Sequence, residues 1–213
     1  MNRLRITEIF HSLQGETKTV GLPTVFVRLT GCPLRCGYCD TAYAFHGGQW
    51  HTLDNIMDEV KQYQAQYVTV TGGEPLAQPD CLLLLKRLCD AGYYVSLETG
   101  GALDISQVDT RVMRVLDLKT PGSGESSKNL LSNLEHLLPH DQIKFVICDR
   151  ADYDWAKQML VEHQLSSRCE ILFSPSWQEM PAGDLADWIL MDQLKVRMQV
   201  QLHKYLWGDV RGR

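Results

Sequence analysis

An open, incomplete barrel of parallel strands wrapped by helices, in one α/β domain, is the fold this sequence of 213 residues predicts. Short β-rich runs alternate with amphipathic helical segments along most of the chain. Several runs, such as Val25-Phe26-Val27 and Val68-Thr69-Val70, are nearly continuous in apolar or β-branched residues, which suits strands covered on both faces. Roughly six or seven strand–helix units fall short of the ~250 residues typical of a closed eight-unit barrel.

Taken in order, strands are expected at Thr24–Leu29, Tyr67–Thr71, Tyr93–Glu98, Val112–Leu118, Gln142–Cys148, Glu170–Phe173 and Arg197–Leu202. Leu53, Ile56, Met57, Val60 and Tyr63 recur at helix spacing, with Thr52 or Asp54 as the cap. Asp80 to Asp90 reads as a second helix, closed by Gly92 just past its end. Leu130–Leu138, Tyr153–His163 and Leu185–Leu194 complete the alternation. No repeat, linker or low-complexity tract interrupts it, so residues 1–213 are expected to form one domain. Within it lie an N-terminal segment of about residues 6–31, a cysteine loop at 32–41 and a tail at 206–213.

Composition narrows the functional classes. Hydrophobic residues make up 44% and charged residues 22%, ordinary for a soluble globular chain. A net charge of −5 without any lysine/arginine run argues against nucleic-acid or anionic-membrane partners, which need a concentrated basic face. The longest apolar run, Cys81–Leu85, is far below the ~18 residues that span a bilayer. The N-terminus lacks the apolar stretch of a signal peptide, so a cytoplasmic location is expected. Thiols stay reduced there, which turns attention from disulfides to metals. Of 7 cysteines, Cys32, Cys36 and Cys39 cluster while Cys81, Cys89, Cys148 and Cys169 are scattered.

The cluster is the chemistry-bearing segment. Gly31-Cys32-Pro33-Leu34-Arg35-Cys36-Gly37-Tyr38-Cys39-Asp40 follows the first apolar strand directly. Three thiolates spaced C-x-x-x-C-x-x-C can ligate three corners of an iron–sulfur cubane and leave the fourth iron open. Structural zinc and electron-carrier clusters normally take four protein ligands. A zinc site completed by His46 or His51 is the plainer alternative. Thr71-Gly72-Gly73-Glu74-Pro75 ends the next strand. Its glycines permit a close backbone approach to a ligand, and its carboxylate can accept from an ammonium. A generic strand-end turn would have the same residues.

Together the two segments resemble the radical S-adenosylmethionine superfamily. That resemblance implies a 4Fe–4S cluster on Cys32, Cys36 and Cys39, with S-adenosylmethionine on the open iron as source of a 5′-deoxyadenosyl radical. It further implies cofactor contacts at Tyr38, Cys39, Asp40, Gly72, Gly73, Glu74, Asp117, Leu118 and Lys119. Asp117 and Leu118 precede that lysine where relatives often carry Ser-Pro, so only the lysine is retained. Glu98, in Leu97-Glu98-Thr99-Gly100-Gly101, is expected at the ribose hydroxyls; Ser174-Pro175-Ser176 ends a further strand and is expected to line the pocket.

Glu8-Ile9-Phe10-His11-Ser12-Leu13-Gln14-Gly15-Glu16, then Gly21 through Cys32, Cys39-Asp40-Thr41 and Gln201-Leu202-His203-Lys204-Tyr205 narrow the likeness. From Ile6 to Tyr205 the chain resembles the 7-carboxy-7-deazaguanine synthase family. The resemblance implies a carbon–nitrogen lyase that turns 6-carboxy-5,6,7,8-tetrahydropterin into 7-carboxy-7-deazaguanine with loss of ammonia, a step towards queuosine. It implies pterin contacts at Leu13, Gln14, Gly15, Glu16, Arg28, Thr71 and His203, and Mg²⁺ on Thr41. An external one-electron reductant such as a flavodoxin and a homodimer are also implied. From the residues alone, Arg28 offers a fork suited to a carboxylate, Thr41 would serve as a helix cap, and His203-Lys204 would end the last strand.

Overall fold

The computed structural model describes residues 2–212; Met1 and Arg213, the ends of the expected domain and tail, lie outside the described residues. In chain order the elements are β1 (Arg3–Leu13), β2 (Pro23–Leu29), β3 (Gln49–Thr52), α1 (Leu53–Gln62), β4 (Tyr67–Gly72), α2 (Cys81–Asp90), β5 (Tyr94–Thr99), β6 (Met113–Asp117), β7 (Gln142–Ile147), α3 (Arg150–Glu162), β8 (Glu170–Pro175), α4 (Ala182–Met191), β9 (Arg197–Met198) and α5 (Leu202–Trp207). The strands form one sheet in the order β3-β1-β2-β4-β5-β6-β7-β8-β9, with β3 and β9 at its two edges. An incomplete barrel is what the sequence predicts and what the chain forms.

The seven expected strands are the parallel run from β2 to β9. Two strands escaped the sequence reading. β1 pairs antiparallel with β2 and β3, so the sheet is not parallel throughout. β1 alternates Leu4 and Ile6 with charged neighbours, as a strand covered on one face does. β3 is four residues long and carries no apolar run.

Side chains alternate across the curved sheet. One face, with Val25, Val27, Leu29, Val68, Val70, Val95 and Leu97, packs into the core beneath the helices. The opposite face turns Phe26, Arg28, Thr71, Glu98, Val115 and Lys144 into the lumen. Thr71 of β4, an expected pterin contact, is therefore a lumen residue, and Thr69 lies on the same face of the strand.

Helix ends follow local chemistry. The Thr52 hydroxyl accepts from Asn55 N at 3.2 Å and caps α1, settling the choice between Thr52 and Asp54. Asp80 before α2 instead accepts the amide of Arg3 at 3.0 Å, tying β1 down. Gly92 takes a φ of +88° after α2, the left-handed conformation expected there.

Two expected elements change. Leu130–Leu138 is a 3-10 segment, Leu131–His136, rather than an α-helix. Its Asn133 is buried and spends its amide on Ile105 N, Gly101 O and Leu103 O, pinning the segment to the loop after β5. Arg197–Leu202 is a strand only at Arg197–Met198. Its neighbour β8 ends in Pro175, which has no N–H to extend the ladder. The chain then turns, Leu202 N donates to Gly15 O at 2.9 Å, and α5 begins. His203 and Lys204 thus stand on a short helix, not at a strand end, and Leu206 and Trp207 belong to that helix rather than to a tail.

Candidate functional site

Strand ends deliver the site. The loop at 32–41 follows β2, Gly72–Glu74 follows β4, Thr99–Gly100 follows β5, Lys119 follows β6 and Ser174–Ser176 closes β8, all at the carboxyl edge of the parallel sheet where α/β chemistry gathers. One cleft there is lined by Cys32, Cys36, Tyr38, Cys39, Asp40, Thr41, Gly72 and Gly73 on one side. Leu13, Gln14, Gly15, Glu16, Arg28, Thr71, Glu98 and His203 line the other, and Asp117, Lys119, Lys144 and Ser174–Trp177 complete the wall.

The three thiols are half-buried and none is in a disulfide. Burial pushes all three above the ordinary thiol range, with Lys119 drawing each of them back. The loop that carries them is held by backbone. Gly37 N donates to Ser123 O at 3.0 Å, Arg35 N to Glu125 Oε1 at 3.0 Å, and Glu74 N to Gly31 O at 2.7 Å. The Arg35 side chain folds back onto the carbonyls of Cys32 and Leu34 and stacks on Phe45.

Gly72 and Gly73 explain themselves in this packing. A Cβ on Gly72 would strike the Leu29 backbone, and one on Gly73 would strike Gly31 O and Cys32 Cβ. The close approach these glycines permit is therefore to the chain's own cysteine loop. Glu74 does not line the cleft. It is fully buried, and its carboxylate accepts from Leu76 N at 3.0 Å, Thr99 Oγ1 at 2.9 Å and Gly100 N at 2.7 Å. It ties the end of β4 to the end of β5, which corrects its expected place against an ammonium. Leu118 is buried in the hydrophobic core and also leaves the site.

Glu98 changes sides. Its Oε2 accepts from Thr71 Oγ1 at 2.8 Å and its Oε1 from Gln14 Nε2 at 3.3 Å, which groups it with the expected pterin residues rather than with the cofactor. Burial first, then the charge of Glu16, raises its pKa. Gln14 is itself spent on the protein, donating also to Thr69 and accepting from Glu16 N at 3.2 Å, so it shapes the turn. Gly15 is glycine because His203 lies where its Cβ would be. Arg28 gives its Nε to Glu8 Oε1 at 2.7 Å, and Tyr43 donates to the same oxygen at 2.8 Å. That leaves the guanidinium ends facing the cleft.

Beyond the cysteines, the cofactor side has two orphaned acceptors or donors. Tyr38 OH and Asp117 Oδ1 are buried without a hydrogen-bond partner among the described residues. Unpaired buried polar atoms of this kind call for a ligand or water. Lys119 sits 3.1 Å from the other Asp117 oxygen and 5.8 Å from the Tyr38 ring. Asp40 accepts from Lys204 at 2.7 Å, Gln201 at 3.1 Å and Thr41 at 2.9 Å; burial opposes its charge, yet these donors hold it well below the usual carboxylate range. Thr41 precedes a 3-10 turn but makes no capping bond, so the cap reading fails.

Among the described residues no three His, Cys, Asp or Glu side chains converge on a single ion. His46 and His51 do not line the cleft. Neither histidine is placed at the cleft to complete a zinc site with the three cysteines. Three half-buried thiols on one loop, beside two orphaned polar atoms, have the donor chemistry of a larger cluster with a polar co-ligand.

Sequence reasoning missed Lys144, Glu8, Gln199 and Gln201. The signal for Lys144 was legible: a lone lysine inside the apolar run Gln142–Ile147. The others had none, since they act only through contacts with distant segments.

Known proteins agree with this geometry. The Radical SAM superfamily matches residues 26–118, which include the cysteine loop and Gly72–Glu74. The 7-carboxy-7-deazaguanine synthase of Chlorobaculum tepidum is 45% identical, over 98% of this chain and 97% of its own. That of Koribacter versatilis is 42% identical, over 96% and 97%. In fold, the chain is similar to the crystal structure of QueE from Escherichia coli, with a TM-score of 0.78 at 22% identity over 94% of this chain and 95% of that one. A lumen that gathers three cysteines and an arginine at the carboxyl edge of an open barrel, in a chain with such full-length relatives, places it in one group: the chain belongs to the 7-carboxy-7-deazaguanine synthase family of the radical S-adenosylmethionine superfamily.

Proposed function

We propose that the chain converts 6-carboxy-5,6,7,8-tetrahydropterin to 7-carboxy-7-deazaguanine with loss of ammonia, feeding queuosine-type deazapurine synthesis. One observation carries the reading: the three thiols and the guanidinium ends of Arg28 open onto the same cleft. Membership of the superfamily implies a 4Fe–4S cluster and S-adenosylmethionine. Cys32, Cys36 and Cys39 would hold the cluster, and the cluster and cofactor when bound supply one-electron radical chemistry.

The chain's own residues orient and shield. Arg28, its Nε fixed by Glu8, presents its remaining nitrogens to the substrate carboxylate. Phe10 and Phe26, stacked at 4.9 Å, give the flat ring an apolar wall. Thr71, Glu98 and Glu16 offer hydroxyl and carboxylate oxygens to ring N–H groups. His203 closes the cleft over Gly15 and, with its pKa lowered by burial, stays neutral at physiological pH. Tyr38, Gly72, Gly73, Asp117 and Lys119 face the cofactor side, where the orphaned Tyr38 hydroxyl and Asp117 oxygen await a polar ligand.

Mg²⁺ would take the Thr41 hydroxyl oxygen, whose proton is already given to Asp40, together with substrate oxygens and water. A flavodoxin-type one-electron reductant, a homodimer and a cytoplasmic setting complete the reading; no helix among the described residues is long and apolar enough to cross a membrane. The test is anaerobic reconstitution with iron and sulfide, then incubation with S-adenosylmethionine, reductant and the carboxytetrahydropterin. The expected result is the mass of the deazaguanine product. 5′-Deoxyadenosine without that product would refute the substrate assignment.

A further inference from the structure

A lysine inside an apolar strand needs a reason, because desolvating an ammonium is costly unless it is paired. Lys144 stands between Ile143 and Phe145 of β7, both fully buried, and its own side chain turns into the lumen. There its Nζ donates to Glu16 Oε2 at 2.5 Å and lies 3.7 Å from Asp117 Oδ2. Glu98 lies half-buried on the same wall, bonded to Thr71 and Gln14.

Two carboxylates, Glu16 and Glu98, therefore share one water-poor wall. Without a counter-charge, like charges sharing one wall drive one of the pair to protonate or swing away. The other lumen cations each have a different carboxylate partner, Arg28 through its Nε to Glu8, Lys119 to Asp117 and Lys204 to Asp40. Glu16 is further steered by Gln199 at 3.3 Å and Gln201 at 2.9 Å, yet these are neutral donors. Lys144 is the cation paired with Glu16 on that wall, and, more strongly than Arg28, it pulls the Glu98 pKa down against burial and Glu16.

We propose that Lys144 is the specificity-determining positioning residue of the cleft, fixing Glu16 beside Glu98 so that both carboxylates present acceptors to a donor-rich ring edge, an amino group with an adjacent ring N–H. This rests on the proposed pterin reading and deepens it. A ring bearing a carbonyl in place of the amino group would turn its lone pairs against two carboxylates. Sites built to bond a given donor reject the analogue lacking it by about 10⁴-fold. Lys144 itself stays behind the carboxylates and does not touch the reacting atoms.

The reconstituted full chain tests this by binding as well as turnover. Affinities for the 2-amino-4-oxo carboxypterin ring and for its 2-oxo analogue are measured by calorimetry in wild type, K144Q and K144R, with S-adenosylmethionine affinity and iron content as controls. K144Q keeps a donor for Glu16 but no charge. It is expected to weaken the 2-amino ring by about 30-fold or more and to lose most of the discrimination, with cofactor affinity and iron within about twofold. K144R is expected to return discrimination to within about fivefold of wild type. Unchanged discrimination in K144Q, or equal losses of ring and cofactor affinity in both variants, overturns the proposal. If K144Q does not fold, E16Q must lose the same discrimination, and its retention is equally fatal. Wild-type selectivity for the 2-amino ring without any turnover counts against the proposed reaction and not against Lys144.

Discussion

The two sides of the cleft are built by different means. The cysteine side is contiguous in sequence and is held by backbone: carbonyls of Gly31 and Ser123, amides of Arg35, Gly37 and Glu74, and two glycines that let chains touch. The substrate side is assembled from side chains far apart in sequence: Glu8 with Arg28, Gln14 with Glu98, and Glu16 with Lys144, Gln199 and Gln201. Backbone geometry tolerates many side chains but not a wrong Cβ. Side-chain networks tolerate backbone drift but fail when one charge is removed. Chemistry common to a superfamily sits on the first kind of scaffold, and substrate choice on the second.

The largest effect that could break this contrast is Cys32→Ala. It is expected to abolish cofactor cleavage and product together, by at least about 10³-fold, while substrate binding persists. Retained 5′-deoxyadenosine formation would remove the cysteine side's role altogether. Next, Arg28→Ala should raise the substrate KM by about 10²-fold, since an oriented charge partner is lost. Glu8→Gln should cost less, because it loosens the guanidinium without deleting it. Steady-state kinetics with a constant cofactor affinity would show both; equal effects would mean that Arg28 and Glu8 matter only as a pair.

Gly73→Ala sharpens the claim about backbone. Forcing a methyl against Gly31 O and Cys32 Cβ should cost about 1–3 kcal/mol, lowering Tm by roughly 2–10 °C, and should reduce the iron that reconstitution retains. An unchanged Tm with full iron would show that the loop yields freely. The smallest effect is at Glu98, whose folded pKa lies above that of an unfolded glutamate. Such a group adds stability that is full below its unfolded pKa near ~4.3 and lost as pH rises through the folded value. Glu98→Gln should therefore unfold at a slightly higher temperature than wild type at pH 7.5, with the gain shrinking towards pH 4, while catalysis falls. A pH-independent difference would mean that Glu98 has the same pKa in the folded and unfolded chains.

Much of this was legible in the sequence. The parallel run from β2 to β9, the cysteine loop and Gly72-Gly73 could be read from local pattern and contiguous spacing, whereas the Leu13–Glu16 turn stood out only through its resemblance to the family. The antiparallel β1 and β3 could not, because one alternates too gently and the other is four residues long at an edge. Glu74 and Leu118 illustrate a further limit. Sequence set them beside the right neighbours, but alternation and hydrogen-bond demand turned both away from the cleft.

Sequence by itself determined the class of fold and the cofactor loop, because nearly continuous apolar runs and a three-cysteine spacing act over a few residues. Only the tertiary structure decided that Arg197–Leu202 breaks into a stub strand and a helix at Pro175, that Glu98 joins the substrate wall, and that Lys144 stands between two carboxylates. Electrostatic pairing in a dry lumen acts through space between residues more than a hundred positions apart, and no local pattern encodes it.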